Sequence, residues 1–244
     1  MSAKTTGLGD DLYMTGYHIG GAIRQLTVGG GPTNQLELTD ITQLAHARAG
    51  GQRTGKFALV SYLDIASPGA HTAFSPLSTS DQVVTYLRGQ ALGNPVACCN
   101  AKQINYNPTR ANTGELTFAV DAESNGFGLE WGIQLTANPR TDTTATTGAF
   151  FDQGAGFPTS NGAQGYLHLV GFSGTSVDVT VQHATTSGGA YTTLLDFGAQ
   201  TGIGSFRATA AGTVNEFLKV VTTGTFTSAV FFVAFMANLV PVVF

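Results

Sequence analysis

Apolar and polar residues alternate with a period of two along most of this chain, and no segment sustains a 3.6-residue repeat, so the pattern predicts β structure throughout. The clearest strand runs from Glu115 to Glu123. Leu116, Phe118, Val120 and Ala122 share one face, while Glu115, Thr117, Ala119, Asp121 and Glu123 share the other. After the turn Ser124, Asn125, Gly126 the alternation resumes, with Phe127, Leu129, Trp131, Ile133 and Leu135 inward and Gly128, Glu130, Gly132, Gln134 and Thr136 outward. That predicts a hairpin. Further strands are expected at residues 22–28, 34–39, 56–65, 82–88 and 96–105, joined by Gly, Pro and Asn clusters. Two short helices are expected. Residues 40–48 carry a capping Thr39 or Asp40, apolar Ile41, Leu44 and Ala45, and a stop at Gly50 and Gly51. Residues 71–77 allow a turn or two before Pro76.

The alternation pauses between residues 138 and 161. The run from Thr141 to Gly148 is small and polar, and Gly154, Gly156 and Pro158 follow, which reads as a linker. Beyond it, strands are expected at 166–172, around Val177, Val179 and Val181, and at 191–195, 203–209, 214–222 and 230–237. The expected organisation is all-β. A sandwich or barrel over residues 1–137 is followed by the linker 138–161, a smaller jelly-roll-like sandwich over 162–238 and an apolar tail over 239–244.

Composition narrows the function. Charged residues make up 11% of the 244 against a usual value of about 25%, the net charge is −4, and Thr forms about a seventh of the chain. A hydrophobic content of 42% with so little net charge excludes a disordered chain. Eleven Lys and Arg against fifteen Asp and Glu leave no basic footprint for gripping nucleic acid. A charge-poor surface repels its own copies weakly, so an assembly subunit is expected. The start of the chain lacks the apolar core of a secretory signal. Cys98 and Cys99 are adjacent and cannot staple distant segments. The apolar stretch 229–244 is too short to span a bilayer and is interrupted by Asn238 and Pro241, so no membrane insertion is expected.

No catalytic constellation emerges, and neither an enzyme nor a cofactor or metal site is expected. The run Gly50, Gly51, Gln52, Arg53, Thr54, Gly55, Lys56 fits a phosphate-binding loop until Phe57, where Ser or Thr should hold magnesium, and it leads into a strand rather than a helix. Gly171, Phe172, Ser173, Gly174 fails as a nucleophile elbow at Thr175 and reads as a strand end. The histidines His18, His46, His71, His168 and His183 are scattered. Asp10 and Asp11 read as a mobile acidic start. Alternation puts Glu115, Asp121, Glu123 and Glu130 on the non-core face of one hairpin. That face is either ordinary solvated surface or a negative wall that stays close to DNA without binding it.

The stretch from Gly20 to Asp64 contains Leu36 to Ile41, then an Arg-containing loop, then Gly51, Gln52, Arg53, Thr54, Gly55, Lys56, Phe57, Ala58, Leu59. It resembles the major tail tube proteins of long-tailed, siphovirus-like bacteriophages of actinobacteria. Tyr86 to Gly89 and Gly126 to Gly132 are similar to them too, so the likeness covers roughly residues 18–136, and the carboxy-terminal sandwich resembles their extra surface domain. The resemblance implies a virion protein made in the host cytoplasm. Its subunits would form rings, commonly of six, stacked into a tube that passes the genome and meets other tail proteins at its ends. On that reading neighbouring sheets join edge to edge, Glu115, Asp121, Glu123 and Glu130 line the lumen, and the segment bearing Asp40, Arg48, Arg53 and Lys56 makes the contact between rings. A capsid decoration or other virion surface subunit, and a carbohydrate-binding host-recognition module, are the competing expectations. Glycan array binding marks the last.

Overall fold

The computed structural model describes residues 6–32, 35–66, 68–156 and 158–240. The fold is all-β as expected, with 58% of residues in strands and 4% in helix, more than twice the usual strand share. In chain order the first strands are β1 (Asp11–Met14), β2 (Tyr17–His18), β3 (Ile23–Pro32), β4 (Gln35–Glu37), β5 (Arg48–Gly50) and β6 (Arg53–Tyr62). The one α-helix among the described residues, α1 (Ala70–Phe74), lies within the expected 71–77 turn to within a residue. After it come β7 (Gln82–Leu87), β8 (Pro95–Gln103), β9 (Asn107–Arg110), β10 (Leu116–Ser124) and β11 (Glu130–Gln134). The rest are β12 (Arg140–Asp142), β13 (Thr146–Asp152), β14 (Ala163–Ala184), β15 (Thr192–Gln200), β16 (Gly204–Ala210) and β17 (Phe217–Ala237).

Two compact units form, and they do not follow a cut at residue 137. One comprises residues 22–84 and 99–130, the other the chain up to Gly21, residues 85–98 and everything from Trp131 onward. In the first, which we term the arm-bearing unit, β10 is central. It pairs along Thr117–Glu123 with β6, at Ala122–Ser124 with β8 and at Leu116–Ala119 with β9. β6 in turn pairs with β3 from Ile23 opposite Ser61 to Pro32 opposite Arg53. The inward positions Phe57, Leu59, Phe118, Val120 and Ala122 are buried, as the period-two reading expects, whereas Leu116, expected on the same face, is 39% exposed at the strand's start. Phe74 of α1 packs edge-on against Phe118 at 5.7 Å between ring centres.

In the second, the long-strand unit, β14 and β17 are 22 and 21 residues long and pair antiparallel over their whole length. Each was expected as two separate strands. What joins them is a set of irregularities at Leu169/Gly171, Ser173/Gly174 and Gly174/Ser176, where the ribbon bends without breaking its ladder. Gly174 and Gly224 take φ of 149° and 112°, and a Cβ on Gly174 would lie 2.4 Å from the Phe226 Cα, so glycine is required at the bend. Gly171 to Gly174 are therefore mid-strand, not a strand end. β16 and β15 take the free side of β14 in its first and second halves, and β11, β12 and β13 take that of β17. Val177, Val179, Val181, Leu195, Leu218, Val220, Phe231, Val233 and Phe235 form the core.

The expected linker is also structured. β12 and β13 bond to β17, and the Arg140 guanidinium clasps the Asp142 carboxylate through two bonds of 2.8 and 2.5 Å while donating to the Val220 carbonyl at 2.9 Å. Threonine-rich polarity marked exposed strand here, because a strand whose outer face is wet needs no apolar residue there. The acidic pair Asp10 and Asp11, expected to be mobile, is likewise tied into the fold, with Asp10 accepting a bond from the Tyr86 hydroxyl. Asp11 is buried, accepting from the Leu12 amide at 2.8 Å and lying 2.6 Å from His18 Nε2.

Candidate assembly surfaces

The outward face of the β9, β10, β6, β3 sheet carries part of the expected acidic surface. Register sets Glu123 opposite Lys56 and Asp121 opposite Ala58. Lys56 Nζ lies 2.8 Å from Asp121 and 3.9 Å from Glu123. The Asn105 amide donates to the Asp121 carboxylate at 2.7 Å and its oxygen accepts the Asp121 backbone N–H at 2.8 Å. Bonds from Lys56 and then Asn105 hold the Asp121 carboxyl below the usual range, and the bond to Asp121 raises Lys56. Glu115, just ahead of β10, accepts a bond from the Arg24 guanidinium. Three carboxylates thus meet two cations, and this face is close to neutral. Glu130 does not belong to it, because β10 and β11 do not pair and the expected hairpin is absent. Burial, with the Glu130 charge adding to it, pushes the Cys99 thiol up to about 12.

The segment expected to join rings takes an unexpected shape. Residues 40–48 form no helix. Instead β4 and β5 pair, Gln35 opposite Gly50 through Glu37 opposite Arg48, as a two-stranded arm. The Asp40 carboxylate accepts from the Thr42 hydroxyl at 2.5 Å and the Thr42 N–H at 2.8 Å, which lowers its pKa. Thr39 Oγ1 accepts the Ala47 N–H across the arm at 2.9 Å. These side-chain bonds to nearby backbone compete with helix, and no apolar surface waits to bury the helical face. Consequently Leu36, Leu38, Ile41 and Leu44 stand in solvent, the last two fully exposed at 104% and 106%. Glu37 collects the arm's other polar groups, with bonds from Thr39, His46 at 3.1 Å and an ion pair to Arg48 at 3.6 Å. Asp40, Arg48, Arg53 and Lys56 are therefore not one cluster. The first two sit on the arm, Arg53 opens β6, and Lys56 belongs to the sheet face.

A groove of about 300 Å³ opens on the long-strand unit, lined mainly by Trp131, Ile133, Phe151, Phe235, Ala237 and Leu239. Trp131 was expected inward, yet it is 56% exposed while Gln134 is buried. β11 pairs with β17 rather than β10, and the Gln134 side chain takes the inward position with its amide N–H donating to the Gly89 carbonyl at 2.6 Å, while its buried Oε1 meets no hydrogen-bond donor among the described residues.

Among the remaining sequence candidates, the G-x-x-x-x-G-K run enters strand β6 directly. Cys98 and Cys99 are buried in β8 and form no disulfide. His168 is wholly buried, accepting at Nδ1 from the Gly16 N–H at 3.4 Å and donating from Nε2 to Thr85 Oγ1 at 2.9 Å, and burial lowers its pKa to about 3. It is a neutral, structural imidazole. No group of three or more His, Cys, Asp or Glu placed to hold a metal occurs among the described residues, and no helix among them is long and apolar enough to cross a membrane.

No protein-family model matches the chain, and no curated protein aligns with it. Among solved structures it is similar to a chain from the tail of an empty GTA particle refined with C6 symmetry, at 12% identity over 53% of this chain and 98% of that one, with a TM-score of 0.42. It is similar to the SPP1 Dit protein, described as a hub of the adsorption apparatus in phages of Gram-positive hosts. There the identity is 8% over 93% of this chain and 99% of that one, TM-score 0.33. It is also similar to a chain of the phage p2 baseplate in its activated conformation, at 8% identity over 94% and 98%, TM-score 0.34.

Sequence reasoning missed both the arm's apolar tip and the groove. The signal for the tip was present: Leu36, Leu38, Ile41 and Leu44 lie in a stretch with Asp and Thr at turn spacing and Gly at both ends, which suits an exposed hairpin as well as a helix. The groove had no local signal, since β11, β13 and β17 come together only in the folded sheet.

Proposed function

We propose that this chain is a structural protein of a phage virion, a tail tube subunit that polymerises as stacked rings of six around a lumen for DNA. The observation that carries the reading is β3. This strand of ten residues pairs only with β6 among the described residues, so one full row of its backbone donors and acceptors faces outward. Edge strands are ordinarily blunted by charge, proline or bulges. Here those devices sit at the two ends, Arg24 and the Ile23/Gln25 irregularity at one and Pro32 at the other, and the stretch between carries no charge. A neighbouring copy that adds its sheet to this edge completes the hydrogen bonding and closes a ring. The low overall charge supports the same reading, because it leaves little repulsion to oppose the packing of many copies.

In the ring the face bearing Glu115, Asp121 and Glu123 lines the bore. Its carboxylates hold Arg24 and Lys56, so the wall offers DNA neither free cations from this set to trap phosphates nor a strong repulsive field. Negative-stain microscopy of the purified chain at tens of micromolar tests the proposal. Hollow tubes or six-fold rings are the expected result, and a stable monomer at all concentrations overturns it.

A further inference from the structure

The arm is two-faced. Along β4 and the residue that follows it, Leu36 and Leu38 share one side by alternation, and Glu37 on the other engages Thr39, His46 and Arg48. Asp40 is engaged by Thr42. The carboxylates of the arm are thus satisfied within it, whereas Leu36, Leu38, Ile41 and Leu44 are 54%, 59%, 104% and 106% exposed. Four aliphatic side chains on one short hairpin form an apolar patch of the kind that marks a contact site. The same chain carries a groove of matching chemistry. Its wall is mainly aromatic and aliphatic, with Gln153 its one polar side chain, and Trp131 and Leu239 are 56% and 77% exposed.

We infer that the arm tip of one copy seats Ile41 and Leu44 in the Trp131 to Leu239 groove of the next copy. The inference rests on the reading of this chain as a self-assembling subunit and names the surfaces that meet. Size favours it. A cavity of about 150 Å³ holds a benzene molecule, so a groove of about 300 Å³ admits on the order of two aliphatic side chains. Area then decides what kind of contact it is. The arm would bury roughly 300–400 Å² and the groove a similar amount, which falls short of the roughly 1,200 Å² that a standalone pair requires. One such contact is weak. It holds only in an array where every copy gives an arm and receives one, with the β3 edges contributing as well. Donor and acceptor are different surfaces, so the contact is head-to-tail, and it propagates instead of stopping at a two-fold dimer.

Mixing two single variants tests this, Leu44→Cys and Trp131→Cys, each assembled with the other and then treated with a short bismaleimide. Cys98 and Cys99 are buried and stay unreacted, as the wild-type chain run in parallel verifies. The expected result is a cross-linked dimer at least tenfold more abundant in the mixture than in either variant alone or in Leu44→Cys mixed with the exposed control Ile203→Cys. Leu239→Cys replaces Trp131→Cys if loss of the indole disturbs folding. The double variant Ile41→Asp/Leu44→Asp is expected to melt with the wild type and to lose polymer at least tenfold. If the wild type polymerises while the mixture cross-links no better than the control, the arm-to-groove contact is overturned and the polymer reading stands. A cross-link formed within a single chain carrying both cysteines, at high dilution, also overturns it. A wild type that never polymerises overturns the subunit reading itself.

Discussion

His168 gives the molecule its clearest pH signature. Its imidazole is sealed in the long-strand unit with Tyr13 tilted against it at 5.6 Å between ring centres, and it stays neutral down to about pH 3. In the unfolded chain the same group titrates near its ordinary value of 6.5. Below that value the unfolded state binds a proton that the folded state refuses, so stability falls with pH, by up to about 1.4 kcal/mol per unit between 6.5 and 3, and this contribution is flat above 6.5. Urea midpoints measured from pH 7 to pH 4 for the wild type and for His168→Gln should diverge in slope, with the variant flatter by about one proton. Parallel slopes would mean that the imidazole is protonated in the fold. Asp81 and Asp121, whose partners lower their pKa, also weaken the fold on acidification, which is why the difference between the two proteins is the informative quantity.

At the scale of the element, the bend in the β14 and β17 ribbon depends on two glycines. Gly174→Val would place a branched side chain where φ is 149° and the Phe226 backbone is 2.4 Å away, so a loss of about 2 kcal/mol or more is expected, visible as a fall of several degrees in Tm. A melting point within a degree of wild type would show that the ladder can slip there. The same region marks where sequence reading runs out. Residues 117–123 were legible because each side chain meets one environment, core or the wetter outer face, and alternation records that directly. Trp131 and Gln134 were misread because their surroundings come from β17, about a hundred residues along the chain, and a local pattern holds no information about that partner. The helix expected at 40–48 was defensible on caps and spacing. It failed because Asp40 and Thr39 bond the backbone in a turn and because Ile41 and Leu44 had nothing to pack against within the chain.

At the scale of the whole molecule, the all-β class was readable from periodicity alone, whereas the division into units was not. The chain passes from one unit to the other at residues 21/22, 84/85, 98/99 and 130/131, and no change in composition marks those crossings. The lumen assignment also belongs at this scale. Replacing Glu115, Asp121 and Glu123 together by Lys turns a nearly neutral face into one carrying five cations with Arg24 and Lys56. On the proposed tube reading, phage particles built from this variant should form tubes of normal diameter by microscopy and eject their genome more slowly, since phosphates would pair with the wall. Ejection at the normal rate would remove this face from the bore.

The strand β17 bonds to β11, β12, β13 and β14, each of which precedes it in the chain. During synthesis those four must wait with their edges open until residues 217–237 have left the ribosome, because no earlier segment can take the place of their shared partner. A message cut short before that point yields a chain whose long-strand unit cannot close and whose groove, lined in part by Phe235 and Ala237, never forms. In a polymer built on the proposed arm-to-groove contact, incomplete copies would be unable to receive an arm and would be left out without any separate proofreading.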